Sequence, residues 1–84
     1  MKTEKAFNNT LVMVGSHLAE LRLKKGFTTI KEFAERYDLP EIQYWRIERG
    51  KANITLKSLT RILNIHRISL QDFFCLLSDE KLAA

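Results

Sequence analysis

Apolar residues recur along this chain at intervals of three and four, and each such run is bracketed by residues that start or stop a helix. In the first run Leu11, Val14, Leu18 and Leu21, with Met13 beside them, make one apolar face. Asn8, Asn9 and Thr10 are acceptable N-caps, so the spacing predicts a helix that opens there and stops at Gly26, behind Lys24 and Lys25. Thr29-Ile30-Lys31-Glu32 has capping-box form and opens a second helix, whose buried stripe is Ile30, Phe33, Ala34 and Tyr37. That helix stops near Asp38, because Leu39 precedes Pro40 and is pushed out of the α region. Pro40 or Glu41 starts a third helix that runs to Arg49 and ends at Gly50, with Tyr44 and Ile47 facing the core. Thr55 caps a fourth helix, which carries Leu56, Leu59, Ile62 and Leu63 inward. Ser69-Leu70-Gln71-Asp72 opens a fifth, with Ile68 and Phe73 placed as its hydrophobic staple. Phe73, Phe74, Leu76 and Leu77 make that helix apolar on more than one side. Five short helices joined by brief loops give an all-α fold.

Composition narrows this picture. At 84 residues the chain is expected to form one domain, and a mix of 45% hydrophobic and 29% charged residues excludes a disordered segment. Cys75 is the sole cysteine, so no internal disulfide is available, and no Cys/His cluster has zinc-ligand spacing. No metal or cofactor is therefore expected. Packing must hold the fold, with a partner subunit as its natural aid, and a reducing, cytoplasmic place is expected. No apolar run, Leu11 to Val14 included, approaches the ~20 residues of a membrane span. The start of the chain has no apolar stretch of secretory length, so a soluble, non-exported protein is expected.

The net charge of +4 is unevenly spread. Residues 22–67 hold eleven Lys/Arg against five Asp/Glu, residues 1–21 balance, and residues 68–84 hold one lysine against three acids. A polyanion would be drawn to the middle of the chain. The plain alternative for the same residues is a solvated surface.

The second and third helices are separated by only about three residues, Asp38-Leu39-Pro40, which is the spacing of a helix-turn-helix. Small Ala34 lets the two helices cross closely, Leu39 and Ile47 fill the gap, and Asp38 stands where a left-handed residue is wanted. Here the sequence resembles the lambda-repressor/Cro type helix-turn-helix domain, the XRE family, over residues 18–73. The resemblance is carried by Leu18-x-x-Leu21-Arg22, Lys25-Gly26, Phe33-Ala34-Glu35, Arg46-Ile47-Glu48-Arg49-Gly50-Lys51, Leu56-x-x-Leu59 and Ile68-Ser69-Leu70. The stretch from Arg46 to Lys51 is its most specific part.

The resemblance implies a five-helix DNA-binding domain whose third helix lies in the major groove. Its base-facing candidates are then Glu41, Ile42, Gln43 and Arg46, with Trp45 nearby. Arg46 suits guanine, Gln43 adenine, Glu41 the cytosine amine and Ile42 a thymine methyl. Thr28, Thr29 and Lys31, and on the other side Arg49, Lys51 and Asn53, are the implied phosphate contacts. The helix N-termini at Thr29 and Thr55 and the charges of Lys57 and Arg61 add to these. The resemblance further implies a structural ion pair between Arg22 and Glu48. It also implies a homodimer on a palindromic site, for which Phe74, Leu76, Leu77 and Leu82 of the fifth helix are the candidate interface. The competing reading for those residues is that Phe7, Leu11 and Val12 fold back over them in a monomer.

Three departures from the family pattern stand out. One extra residue lies between Gly26 and Ala34, and the glutamine that usually opens the second helix is replaced by Thr29 or Ile30, so a phosphate-binding amide is lost unless Thr29 substitutes. Glu41 brings a negative charge to the groove face. Arg67 replaces the usual glycine after helix four and must turn otherwise or bear strain.

Other residues read more simply. Trp45 is a groove contact or a partly packed surface aromatic. Cys75 is a small buried hydrophobe, and His17 and His66 are surface or filler positions. Glu41 and Glu48 make a poor acid–base pair, and no serine has a His/Asp companion at recognisable spacing, so an enzyme is not expected. The leading expectation is a bacterial or phage-type transcription regulator, nucleoid-associated in the cytoplasm. Two others remain open: an antitoxin-type regulator that also binds a toxin, and an interaction module on the same fold without DNA binding.

Overall fold

All five expected helices are present in the computed structural model, which describes the backbone of residues 2–83 and the side chains of residues 3–78. They are α1 (Lys2–Lys24), α2 (Ile30–Arg36), α3 (Glu41–Glu48), α4 (Leu56–Ile65) and α5 (Leu70–Ala83). No strand occurs among the described residues. The chain divides into two compact units, Met1–Asn53 with α1 to α3 and Ile54–Ala84 with α4 and α5.

In the first unit α3 packs against both α1 and α2. Val14 and Leu18 of α1, Phe33 and Ala34 of α2, and Tyr44 and Ile47 of α3 are its buried apolar residues. Phe27, Phe33, Tyr37 and Tyr44 join in an aromatic cluster, Phe33 lying 5.1 to 5.4 Å from each of the other three ring centroids. The edge and tilted geometries are those that favour aromatic pairs. In the second unit α4 packs on α5, with Leu59, Ile62, Leu63, Phe73 and Leu77 buried.

Helix α1 opens at Lys2, several residues before the caps expected at Asn8, Asn9 and Thr10. No Gly or Pro interrupts that stretch, and Thr10 turns its hydroxyl back on the helix, donating to the Ala6 carbonyl at 3.0 Å. Residues 3–10 are all exposed. Three other starts follow the sequence. The hydroxyls of Thr29 and Thr55 accept from the backbone N–H of Glu32 and Ser58, each at 3.1 Å, and Ser69 accepts from that of Asp72 at 3.0 Å.

Four helices end in the same way. After α1, α2, α3 and α4 the backbone enters positive φ at Gly26 (102°), Asp38 (55°), Gly50 (69°) and Arg67 (57°). In each case the next N–H reaches back to a carbonyl five residues earlier: Phe27 to Arg22, Leu39 to Ala34, Lys51 to Arg46 and Ile68 to Leu63. The positive-φ residue itself bonds the carbonyl three residues earlier, which completes the Schellman pattern. Of the two outcomes open at Arg67, another turn or strain at positive φ, the second is the one found.

Two side chains are placed otherwise than expected. Leu56 is 64% exposed. It is the first residue of α4, and its side chain leans toward the helix start, past the turns that pack. Cys75 is exposed, because a helix that buries Phe73 and Leu77 turns the residue two positions after Phe73 to the far side.

Candidate nucleic-acid interface

Helices α2 and α3 are joined by Tyr37, Asp38, Leu39 and Pro40. Asp38 in the left-handed region turns the chain sharply enough for α3 to start again at once, with Pro40 as its N-cap. Ala34, 2% exposed, keeps the contact between the helices close.

A second close contact fixes α3 from the other side, and it runs through two glycines. A Cβ added to Gly15 of α1 would lie 2.5 Å from the Ile47 carbonyl oxygen and would also collide with that of Glu48. One added to Gly50 would lie 2.8 Å from the Cα of Val12. The last turn of α3 is thus seated on the backbone of α1. Gly15 was not among the residues expected to matter, although a lone glycine inside a helical pattern is a signal of close packing.

The same end of α3 is tied by charge. Arg22 donates from Nε to Glu48 Oε2 at 2.9 Å and from Nη2 to Glu48 Oε1 at 3.2 Å, a two-pronged pair. Its remaining arm, Nη1, donates to the Phe27 carbonyl at 2.8 Å. The two side chains are 9% and 5% exposed. The hydrogen bond to Glu48 raises the Arg22 pKa, so the guanidinium keeps its charge. Tyr44 lies beside it with a buried hydroxyl that lacks a hydrogen-bond partner. Burial, then the Glu48 carboxylate, push that phenol far above the usual tyrosine range.

With Tyr44 and Ile47 inward, the opposite side of α3 carries Ile42 and Arg46, one turn apart, flanked by Gln43 and Trp45. All eleven residues expected to meet DNA are exposed: Thr28, Thr29, Lys31, Glu41, Ile42, Gln43, Trp45, Arg46, Arg49, Lys51 and Asn53. Six of them, Glu41, Ile42, Gln43, Arg46, Lys51 and Asn53, line one open groove together with Pro40 and Ala52. The sequence reading did not single out the last two.

Arg46 Nη2 donates to the Lys51 carbonyl at 3.3 Å, so its guanidinium is drawn toward the loop after α3. Trp45 is 38% exposed, and its ring is approached by Arg49 at 5.1 Å and Lys51 at 5.7 Å. Glu41 sits in the first turn of α3, where a negative charge favours the helix. Thr29, Thr28 and Lys31 do not belong to the groove. The Thr29 hydroxyl is already engaged, donating to Glu32 Oε1 at 3.0 Å, and is not free to replace the missing glutamine amide.

No group of three or more His, Cys, Asp or Glu among the described residues can hold a metal ion. No helix there is long and apolar enough to cross a membrane.

A four-residue turn, a first helix that buries Phe33 and Ala34, and a second helix that exposes Glu41, Ile42, Gln43, Trp45 and Arg46 on its outer face define the helix-turn-helix class of nucleic-acid-binding proteins. The sequence profile of the helix-turn-helix family matches residues 18–73, and the chain belongs to that family. It is also 33% identical, over 67 residues, to a protein of a Mycoplasma species named control protein C.MunI; the aligned region covers 80% of this chain and 90% of the relative. No solved structure matches. Family and relative make this a DNA-binding transcriptional regulator and not an enzyme.

Proposed function

We propose that α3 is the reading helix of a sequence-specific regulator that binds a palindromic operator as a homodimer. The observation that carries this reading is Ile42, 77% exposed at the centre of the outer face of α3. An isoleucine held in water gains nothing from folding, whereas against a thymine methyl it recovers its hydrophobic value. Its neighbours complete a set of base-edge readers. Arg46 can grip guanine in two-pronged fashion, Gln43 adenine, and Glu41 can accept from a cytosine amine. Thr28, Lys31, Arg49, Lys51 and Asn53 supply phosphate contacts, which set register and add affinity. The Mycoplasma relative is named a control protein, and control of transcription is the role proposed here.

Helix α5 supplies the dimer contact. Phe74 and Leu76 are each 43% exposed, a costly display in so small a protein. Leu77 is 9% exposed and belongs to the chain's own core, while the side chain of Leu82 lies outside the described residues. Phe7 and Val12, 46% and 53% exposed, are themselves uncovered. A two-fold pair of reading helices about 34 Å apart would match successive major grooves.

Sedimentation of the chain with a duplex that it selects tests this. Two copies per duplex are expected, and Phe74→Glu with Leu76→Glu should give a folded monomer that has lost most of its operator affinity. A wild-type chain that stays monomeric at micromolar concentration, free and on DNA, overturns the homodimer.

A further inference from the structure

We infer that Trp45 is a positioning residue: its indole holds Arg49 and Lys51 in place as one prepared site for the DNA backbone, and it reads no base. The inference rests on the DNA-binding reading above.

Trp45 faces outward beside the reading stripe, yet only 38% of it is exposed. The guanidinium of Arg49 and the ammonium of Lys51 stand 5.1 and 5.7 Å from its ring, both within the range of a cation–π contact. Neither cation forms an ion pair among the described residues. Two like charges gathered on one ring repel each other, and an anion placed between or beside them relieves that repulsion. Arg49 is the C-cap of α3, and Lys51 is fixed through its backbone. The N–H of Lys51 bonds the Arg46 carbonyl at 2.9 Å, and its own carbonyl accepts from Arg46 Nη2. The turn at Gly50 carries the chain from one cation to the other and back to the same ring. Both backbones are therefore set by the helix end and both side-chain heads by the indole. Ordering flexible cations before binding removes part of the entropy cost of binding.

The same network separates the roles of neighbouring side chains. Arg46 lies on the outer stripe and in the groove; Trp45 lies outside the residues that line the groove. Loss of Trp45 should accordingly weaken binding to every sequence alike.

The test uses the full chain with two duplexes, one selected from a random pool and one scrambled duplex of equal length, titrated over a range of salt. Trp45→Ala should weaken both by roughly three- to tenfold without changing the slope of log affinity against log salt, because both cations remain. Trp45→Phe should restore most of the loss. Arg49→Ala and Lys51→Ala should each reduce the slope by about 1, and Trp45→Ala should add little once both cations are gone. In the free protein, Trp45→Ala should abolish ring-current shifts of the Arg49 and Lys51 side-chain protons. Loss confined to the selected duplex makes Trp45 a base reader and overturns the inference. Absence of the ring-current shifts in the wild-type protein also overturns it, and that readout is independent of any DNA. If the shifts are present but wild-type affinity for both duplexes is insensitive to salt, the DNA-binding reading fails and the inference falls with it.

Discussion

Tyr44 and Glu48 lie one turn apart on the inner side of α3 and should respond oppositely to substitution. Glu48→Gln leaves the Arg22 guanidinium buried without its counter-charge, at a cost of about 3–5 kcal/mol in denaturant unfolding. Tyr44→Phe removes a hydroxyl that has no hydrogen-bond partner, so stability at neutral pH should stay within about 1 kcal/mol of wild type or rise. Its mark is alkaline. The folded protein holds the phenol neutral above the ordinary value of 10.0, so stability from this source is complete below pH 10. It is lost as pH rises further, because the unfolded chain ionises first, with a limiting slope of about 1.4 kcal/mol per pH unit. Unfolding curves at pH 9 and pH 11 should show that loss in the wild type and much less of it in Tyr44→Phe.

Gly15 makes the same point through shape. In an exposed helix Gly→Ala gains about 1 kcal/mol. Here Gly15→Ala drives a methyl into the carbonyls of Ile47 and Glu48 and should destabilise by about 1–3 kcal/mol instead, lowering the melting temperature. A melting temperature raised by Gly15→Ala would show that α3 does not sit where it is described.

Helix ends were more legible than helix faces. Thr29, Thr55, Ser69, Gly26 and Gly50 each did what their chemistry dictates, because a cap involves only residues close in sequence. The start of α1 was misplaced because Asn8, Asn9 and Thr10 are only permissive caps, and a helix without a breaker continues through them. Cys75 and Leu56 were misassigned for another reason. In an apolar run such as 73–77 periodicity leaves the inward direction open, and packing decides it. Glycine at the end of α4 was recognisably missing, and the structure places Arg67 at a φ of 57° there. Arg67→Gly should relieve this and stabilise the protein by about 1 kcal/mol, measured by thermal or denaturant unfolding. Gly50→Ala, at a similar φ but against the Val12 backbone, should destabilise by more than that gain.

At the level of the whole molecule, charge and fold point to one kind of partner. The eleven basic residues between positions 22 and 67 include Lys31, Arg46, Arg49 and Lys51, all exposed. The extent of the family match, residues 18–73, was readable from six short pieces at compatible spacing. The candidate site was readable as a set of positions. Its internal order was not, because Arg46 reaching the Lys51 carbonyl and Trp45 gathering two cations depend on rotamers. Which bases those positions prefer depends further on docking angle, water and DNA shape.

The most direct test of the central claim is selection of bound duplexes from a random pool at near-physiological salt. The account predicts an enriched palindrome with half-sites one helical turn apart, whose preferred bases change when Arg46 or Gln43 becomes alanine. A pool that shows no enrichment at any salt concentration would contradict it, and α3 would not be a reading helix.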